Sequence, residues 1–268
     1  MAGLGMMGAR AADGRSRPFD AAASGYGRGE GCGMIVLKRL ADAERDGDAV
    51  AAVILGGAIN NDGASSGLTV PNGNAQRAVL ARAMANARVL ADEVGFVETH
   101  GTGTLLGDPI EIDALRAVYG EHRSRPLALG AVKGNIGHLE SAAGVAAVIK
   151  AVLCLQRGVI PPIAGLGTLN DRVAAVADGL TFPDAAVPWR PLSGRRRIAG
   201  VSSFGFSGTN GHLLLSDYAA VPVPAGRATL PRSLVTVTAA TEAALAQELD
   251  RLADALSSSG AEPEDVAY

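Results

Sequence analysis

The chain has 268 residues, with 24 Lys and Arg against 27 Asp and Glu for a formal net charge of -3. It is 48% hydrophobic and 19% charged, which suits a packed core and excludes a disordered chain. The charge gives no reason to expect a nucleic-acid or anionic-membrane partner, no run is apolar enough to span a bilayer, and the N-terminus lacks a secretory leader pattern, so a cytoplasmic protein is expected.

In chain order, Gly3-x-Gly5-x-x-Gly8 formally matches a dinucleotide fingerprint. No strand precedes it, so the context that gives this motif its chemistry is missing. Residues 14–33 are rich in glycines that serve backbone turns. Residues 32–40 and 50–60 read as buried strands, separated by a helical turn over 41–45 that ends at Asp46-Gly47. Both cysteines, Cys32 and Cys154, lie in apolar runs and are expected to be buried free thiols. The segment 60–73 is dense in turn formers.

A helix is predicted over 74–90, with Val79, Leu80, Ala83 and Ala87 on its apolar face. A short buried strand over 95–99 then delivers His100-Gly101-Thr102-Gly103-Thr104. Asp108-Pro109-x-Glu111 reads as a helix start, with Asp as cap, Pro at the first position and Glu reaching back, which makes Asp108 and Glu111 structural. The next strand, 127–132, delivers Lys133-Gly134-Asn135-Ile136-Gly137-His138-Leu139-Glu140. Each histidine loop is thus expected to follow a strand and lead into a helix, the place where α/β folds collect their chemistry. Small residues beside each imidazole admit a substrate or another backbone, and imidazole is suited to proton transfer and hydrogen-bond donation near neutral pH.

A helix over 141–157 is stopped by Gly158, with Gly144 marking close packing inside it. Pro161-Pro162 opens an irregular stretch. Strands over 198–204 and 212–216 form a hairpin whose tip, Gly205 to Gly211, carries function. His212, on the returning strand, reads as structural, and His122 as a surface residue. Gly205-x-Ser207-x-Thr209 lacks the last glycine of a nucleophile elbow, which argues against a serine hydrolase. No His or Cys spacing matches a metal site. The run Val221-Pro222-Val223-Pro224-Ala225-Gly226 is a linker, followed by a strand over 233–239 and an amphipathic helix over 241–256; the end at Tyr268 looks like a cut.

Three motifs in this order carry a family resemblance. They are His100-Gly101-Thr102-Gly103-Thr104 with Gly107-Asp108-Pro109, Lys133-x-Asn135-Ile136-Gly137-His138-x-Glu140, and Ser203-Phe204-Gly205-Phe206-Ser207-Gly208-Thr209-Asn210-Gly211-His212. The chain resembles a β-ketoacyl synthase, and more narrowly the ketosynthase domain of a modular polyketide synthase. Phe19-Asp20-Ala21 and Gly25-Tyr26-Gly27-Arg28-Gly29-Glu30-Gly31 extend the likeness towards the N-terminus. The resemblance implies an α/β, thiolase-like layered αβαβα fold, of which this chain is the C-terminal half, followed by the start of a small α/β linker domain. The expected divisions are 1–49 as the remnant of the N-terminal half, 50–217 as the C-terminal half, and 218–268 as the linker towards an acyltransferase. A half of such a fold exposes a wide apolar face and is expected to be unstable alone or paired with another chain.

The same resemblance implies a decarboxylative Claisen condensation of an acyl thioester with a malonyl-type extender. His100 and His138 would hold the extender's thioester carbonyl, and Lys133 would orient and polarise the pair. The backbone N–H of Phe206 would serve an oxyanion hole and its ring would gate the pocket, with Thr102, Thr104, Asn135 and Gly205 as further substrate contacts. No cofactor is expected to bind directly; phosphopantetheine arrives on an acyl carrier protein. Expected partners are that carrier, a downstream acyltransferase domain, a Cys-bearing N-terminal half and a second copy as homodimer. The family's nucleophilic Cys belongs to a motif that precedes everything present here, and neither Cys32 nor Cys154 has its neighbours, so the chain alone is expected to be inactive. Gly134, Ser207 and Gly211 are mild departures from the family pattern that bear on specificity. The competing reading is a non-catalytic partner of the chain-length-factor type, which has no need of His100, Lys133 and His138 together.

Overall fold

The computed structural model describes residues 9–65, 67, 70–120, 123–191, 196–218 and 237–259. The glycines at 3, 5 and 8, His122, the linker at 221–226 and most of the strand expected over 233–239 lie outside the described residues. The chain separates into two compact units, Met1–Ala219 and Ala220–Tyr268.

The first unit is built on a six-stranded sheet. Its strands are β1 (Val53–Asn61), β2 (Phe96–Glu98), β3 (Leu127–Gly130), β5 (Leu180–Thr181), β7 (Ile198–Phe204) and β8 (Thr209–Ser216), in the order β1-β8-β7-β2-β3-β5. β7, β2, β3 and β5 run parallel, whereas β8 is antiparallel to both β7 and β1. β4 (Val159–Ile160) and β6 (Val187–Pro188) form a separate antiparallel pair.

Short apolar runs become central strands because both faces are covered, the condition that removes polar alternation from parallel strands. Successive side chains feed opposite cores. Val97, Leu127, Leu129, Ile198 and Leu214 pack with Leu80 and Ala83 of α2 (Gly73–Ala87) and with Ile112 and Leu115 of α3 (Gly107–Leu115). Phe96, Ala128, Ala199, Val201 and Leu215 pack on the other side with Ala147, Ala151, Cys154 and Leu155 of α5 (Ala143–Arg157). The helix ends obey local chemistry. Asn72 caps α2 by accepting from the Asn74 and Ala75 amides at 3.0 and 3.3 Å. Asn170 does the same for the short α6 (Asp171–Ala174), accepting from the Arg172 amide at 2.9 Å. Gly47 and Gly158 end α1 (Leu40–Asp46) and α5 in the left-handed region, with φ of 73° and 60°.

The structure corrects the N-terminal expectation. Residues 32–39 form no strand and are exposed instead: Met34 is 89%, Val36 98% and Leu37 68% exposed, and Cys32 is exposed as well. A strand needs a neighbour on at least one edge, and among the described residues this run pairs with none. Ile149 and Leu153 of α5 are likewise partly exposed. The β7–β8 hairpin, by contrast, forms, but β8 starts at Thr209 rather than at His212, so the tip is shorter than predicted, with Ser202 opposite His212 and Phe204 opposite Asn210.

His212 is fully enclosed. Its Nε2 meets the Tyr119 hydroxyl at 2.8 Å and its Nδ1 the Ser202 hydroxyl at 2.9 Å. Tyr119 belongs to a π-helical turn, Arg116–Gly120, that follows α3. Burial lowers the His212 pKa to about 3, so the folded state holds this ring neutral. The unfolded chain takes up the proton near pH 6.5. The contribution of this group to stability is therefore complete above about pH 6.5 and is lost as pH falls towards 3, at a limiting slope of about 1.4 kcal/mol per pH unit. Urea unfolding between pH 7 and 4 is expected to show a shallower acid slope for His212→Gln than for the wild type.

In the second unit α7 (Glu242–Ser259) is the described element, close to the predicted 241–256. Thr241 starts it, its hydroxyl accepting from the Ala244 amide at 3.2 Å.

Candidate active site

β2, β3 and β7 are neighbouring parallel strands, so their C-terminal ends share one edge of the sheet. His100 lies just past β2, Lys133 just past β3, and Phe204 ends β7. His138 follows a helical turn, α4 (Lys133–Ile136), that the sequence did not announce, and the loop then leads through a 3-10 turn at Glu140–Ala142 into α5 as expected. The sheet topology thereby brings the two imidazoles together, with ring centroids 5.5 Å apart and ring planes at 84°.

Both rings are held in the same manner. The His100 backbone N–H donates to Glu111 Oε1 at 2.7 Å, and its carbonyl accepts from Lys133 Nζ at 2.5 Å. Its Nδ1 accepts from the Phe204 amide at 3.4 Å, and the Phe204 ring lies 5.6 Å away. The His138 backbone N–H donates to the Gly27 carbonyl at 2.7 Å, and its carbonyl accepts from the Gly29 amide at 3.0 Å. Its Nδ1 accepts from the Glu140 amide at 2.9 Å, and the Tyr26 ring sits 4.9 Å from it. A backbone N–H can only donate, so each Nδ1 is unprotonated. The proton of each neutral ring is then on Nε2.

The electrostatics keep both rings neutral. Burial, then the charges of Lys133 and His138, press the His100 pKa well below its usual value. Burial and Lys133 lower that of His138 to about 4, against an opposing pull from Glu140. At pH 7 the pair is two neutral hydrogen-bond donors in a partly dry site.

Asp108 and Glu111 do not cap α3 as predicted, since the N-cap position is Leu106 and carries no side-chain cap bond. They are structural in a different way. Asp108 accepts from the Phe19, Gly103 and Thr104 amides at 2.8, 3.1 and 3.3 Å, and from the Thr102 hydroxyl at 3.4 Å. Glu111 accepts from the His100 and Gly101 amides at 2.7 and 2.8 Å. Together they hold the His100 loop from beneath. Burial raises the pKa of Asp108 to about 6 and pushes that of Glu111 upward; it also lowers that of Lys133, against the opposing pull of Glu111 and Glu98.

Several contributors escaped the sequence reading. Glu98, fully buried, accepts from the Val132 amide at 2.6 Å and pairs with Lys150 Nζ at 2.7 Å. Phe204 lies within a quoted motif, but its amide reaches His100 only through the β7–β2 register. Arg28 pairs with Glu140 beside His138. Of the other sequence candidates, Thr102 and Thr104 belong to the His100 loop that Asp108 holds. The Thr102 and Thr104 hydroxyls bond each other at 3.0 Å, Asn135 and Gly205 are exposed, and Phe206 is 53% exposed at the hairpin tip. A cavity of about 420 Å³ adjoins that tip, lined by Asn61, Asp62, Ser207 and Gly208 among others; neither histidine lines it.

The glycines of the 25–31 segment allow close approach rather than chemistry. A Cβ on Gly29 would lie 2.2 Å from the Ile136 carbonyl oxygen. Gly29→Ala is expected to cost about 1–3 kcal/mol by overpacking against the His138 turn, read as a lowered urea midpoint.

Three family models match successive parts of the chain. They are the β-ketoacyl synthase N-terminal domain over residues 1–43, the β-ketoacyl synthase C-terminal domain over 51–167, and the ketoacyl-synthetase C-terminal extension over 170–264. The chain belongs to the β-ketoacyl synthase family. It is 50% identical over 251 residues to a phenolphthiocerol/phthiocerol polyketide synthase of Mycobacterium tuberculosis, covering 92% of itself and 14% of that relative. It is 51% identical over 214 residues to polyketide synthase GfsB of Streptomyces halstedii, covering 79% of itself and 4% of the relative. Among solved structures it matches the ketosynthase from module 6 of the bacillaene synthase of Bacillus subtilis, with a TM-score of 0.87, 35% identity, and coverage of 100% of this chain and 47% of that one. The chain therefore spans just under half of a solved ketosynthase and a small part of the curated relatives. The layered α/β architecture expected from the resemblance is the one this structural match supports.

Proposed function

We propose that this chain supplies the decarboxylating half of a polyketide synthase ketosynthase. The observation that carries the reading is the pair of neutral imidazoles, 5.5 Å apart, each with Nδ1 occupied by a backbone amide and Nε2–H left to donate. Two such donors suit the thioester carbonyl of a malonyl-type extender. When the bond between the α-carbon and the carboxylate breaks, its electron pair passes into the α-carbon and the thioester oxygen, and carbon dioxide leaves. Fixed donors aimed at that oxygen stabilise the enolate as its charge develops. The α-carbon then attacks the carbonyl of an acyl thioester, a carbon–carbon bond forms, the carbon–sulfur bond breaks, and the thiolate that had carried the acyl group departs.

That thiolate would belong to a Cys on the N-terminal half of the ketosynthase, since the described environments of Cys32 and Cys154 do not fit the role. Cys154 is buried and its pKa is raised to about 11, the opposite of an activated nucleophile. Lys133 is assigned an orienting part, because its Nζ is spent on the His100 carbonyl. Phe206, Thr102, Thr104, Asn135 and Gly205 remain the proposed substrate contacts, with the Phe206 backbone N–H serving the oxyanion hole and its ring the gate. The extender is read as arriving on an acyl carrier protein, with a downstream acyltransferase loading that carrier and a second ketosynthase copy completing a homodimer in the cytoplasm.

The chain-length-factor alternative is disfavoured by the same geometry. A partner without chemistry has no need of His100, Lys133 and His138 gathered at one edge of the sheet. The test is carbon dioxide release from a malonyl thioester of phosphopantetheine by the chain assembled with a Cys-bearing N-terminal half. Release that depends on both histidines supports the reading, and release unchanged by their removal overturns it.

A further inference from the structure

Glu140, the second residue after His138, has a backbone φ of +51°, a region that residues other than glycine rarely occupy. Something must hold it there. Its carboxylate is gripped by Arg28 in a two-point fork, Nε to Oε1 at 2.7 Å and Nη2 to Oε2 at 2.8 Å. Arg28 stands between Gly27 and Gly29, the two residues whose backbones clasp the His138 N–H and carbonyl. The left-handed turn at Glu140 aims its amide back at His138 Nδ1, 2.9 Å away. The planar guanidinium fits a carboxylate in one geometry, so the fork fixes direction as well as distance.

We propose that the Arg28–Glu140 pair is a positioning clamp that holds Glu140 left-handed and thereby fixes His138 as an Nε2–H donor. Neither residue touches a substrate; both act through His138. The proposal rests on the ketosynthase reading for its consequence in catalysis, though not for its geometry. The two side chains are 35% and 41% exposed. A half-exposed pair contributes little to folding, so its removal leaves the chain folded while freeing the ring. The groups that face His138 are the Lys133 charge, the His100 and Tyr26 rings and Glu140 itself.

The first readout uses the full 268-residue chain labelled with 15N in its histidine rings, of which there are four. Ring nitrogen shifts distinguish the protonated nitrogen from the bare one. His138 is expected as a pure Nε2–H form in the wild type and as a mixture of forms in Arg28→Ala and Glu140→Ala. Glu140→Gly is expected to disturb it less than Glu140→Ala, because glycine takes a positive φ without strain. The charge-swapped double variant Arg28→Glu with Glu140→Arg is expected to recover most of the wild-type signal.

The second readout is carbon dioxide release by the chain assembled with a Cys-bearing half, expected to fall about 10- to 100-fold in Arg28→Ala and Glu140→Ala through misplacement of the donor. A wild-type His138 signal in both alanine variants overturns the clamp, as does a release rate within twofold of wild type in an assembly whose wild type is active. A shifted signal combined with no release by the wild-type assembly leaves the clamp standing and overturns the ketosynthase reading instead.

Discussion

His100→Ala and His138→Ala are each expected to slow malonyl decarboxylation by about 10²–10³-fold, the usual loss on removing one preorganised donor from a developing oxyanion. The fall belongs in kcat, with KM little changed, because the two Nε2–H bonds strengthen as charge reaches the thioester oxygen. The double variant is expected to lose little more than the worse single one, since both rings serve the same atom and effects of groups acting as a unit are not additive. The pH dependence follows from the same environment. His138 has its pKa lowered to about 4, so that ring does not change charge between pH 8 and 5, and burial presses that of His100 well below its usual value as well. Ring nitrogen shifts of His138 that titrate near pH 6.5 would contradict the neutral-pair assignment; a change in rate alone would not, because Asp108, raised to about 6, titrates in the same range beneath the His100 loop. Ring 15N shifts followed from pH 8 to 5 decide it.

The largest stability effect is expected at Glu98. This carboxylate has no exposed surface and stands between the Val132 amide and the Lys150 ammonium, whose side chain is only 14% exposed. Glu98→Leu strands a buried cation and orphans the amide that opens the Lys133 turn. Breaking a buried pair from one side costs about 3–5 kcal/mol, a large share of the stability of an ordinary domain. Removing both charges together, Glu98→Leu with Lys150→Met, is expected to recover about 2 kcal/mol or more. The remaining cost of about 1–3 kcal/mol is that of the unpaired Val132 N–H. Urea midpoints of the two variants against wild type measure this; a double variant no better than the single would show that the cost lies in packing and not in charge. The location carries the functional meaning. Glu98 is two residues before His100, and its partner amide is one residue before Lys133, so the pair ties both loop bases to α5.

The amphipathic patterns, the stopping glycines and the three motifs were legible without coordinates because they rest on local chemistry. Helices at α2 and α5, the strand before each loop, the β7–β8 hairpin and the left-handed Gly158 all follow from spacing and side-chain type within a few residues. His212 could be read as structural from its place on the returning strand, where its neighbours alternate between core and surface. Residues 32–39 failed for the converse reason. Their apolar, β-branched pattern specifies a strand, but a strand exists only beside another, and pairing is a property of the whole sheet.

The site itself divides in the same way. Residue type and motif order marked His100, Lys133 and His138. Only the tertiary structure decided that β2, β3 and β7 run side by side, which is what places His100 against His138 and aims the Phe204 amide at His100. Asp108 and Glu111 look like caps in a local reading because Asp-Pro-x-Glu is a good helix start; in three dimensions their carboxylates turn to the amides of the loop they face. Tautomer, neutrality and the left-handed Glu140 likewise depend on partners 2 to 112 positions away in the chain, such as Glu140 for His138 and Arg28 for Glu140. Side-chain chemistry is written in the sequence, whereas the field and the hydrogen bonds that set its protonation are made by long-range packing.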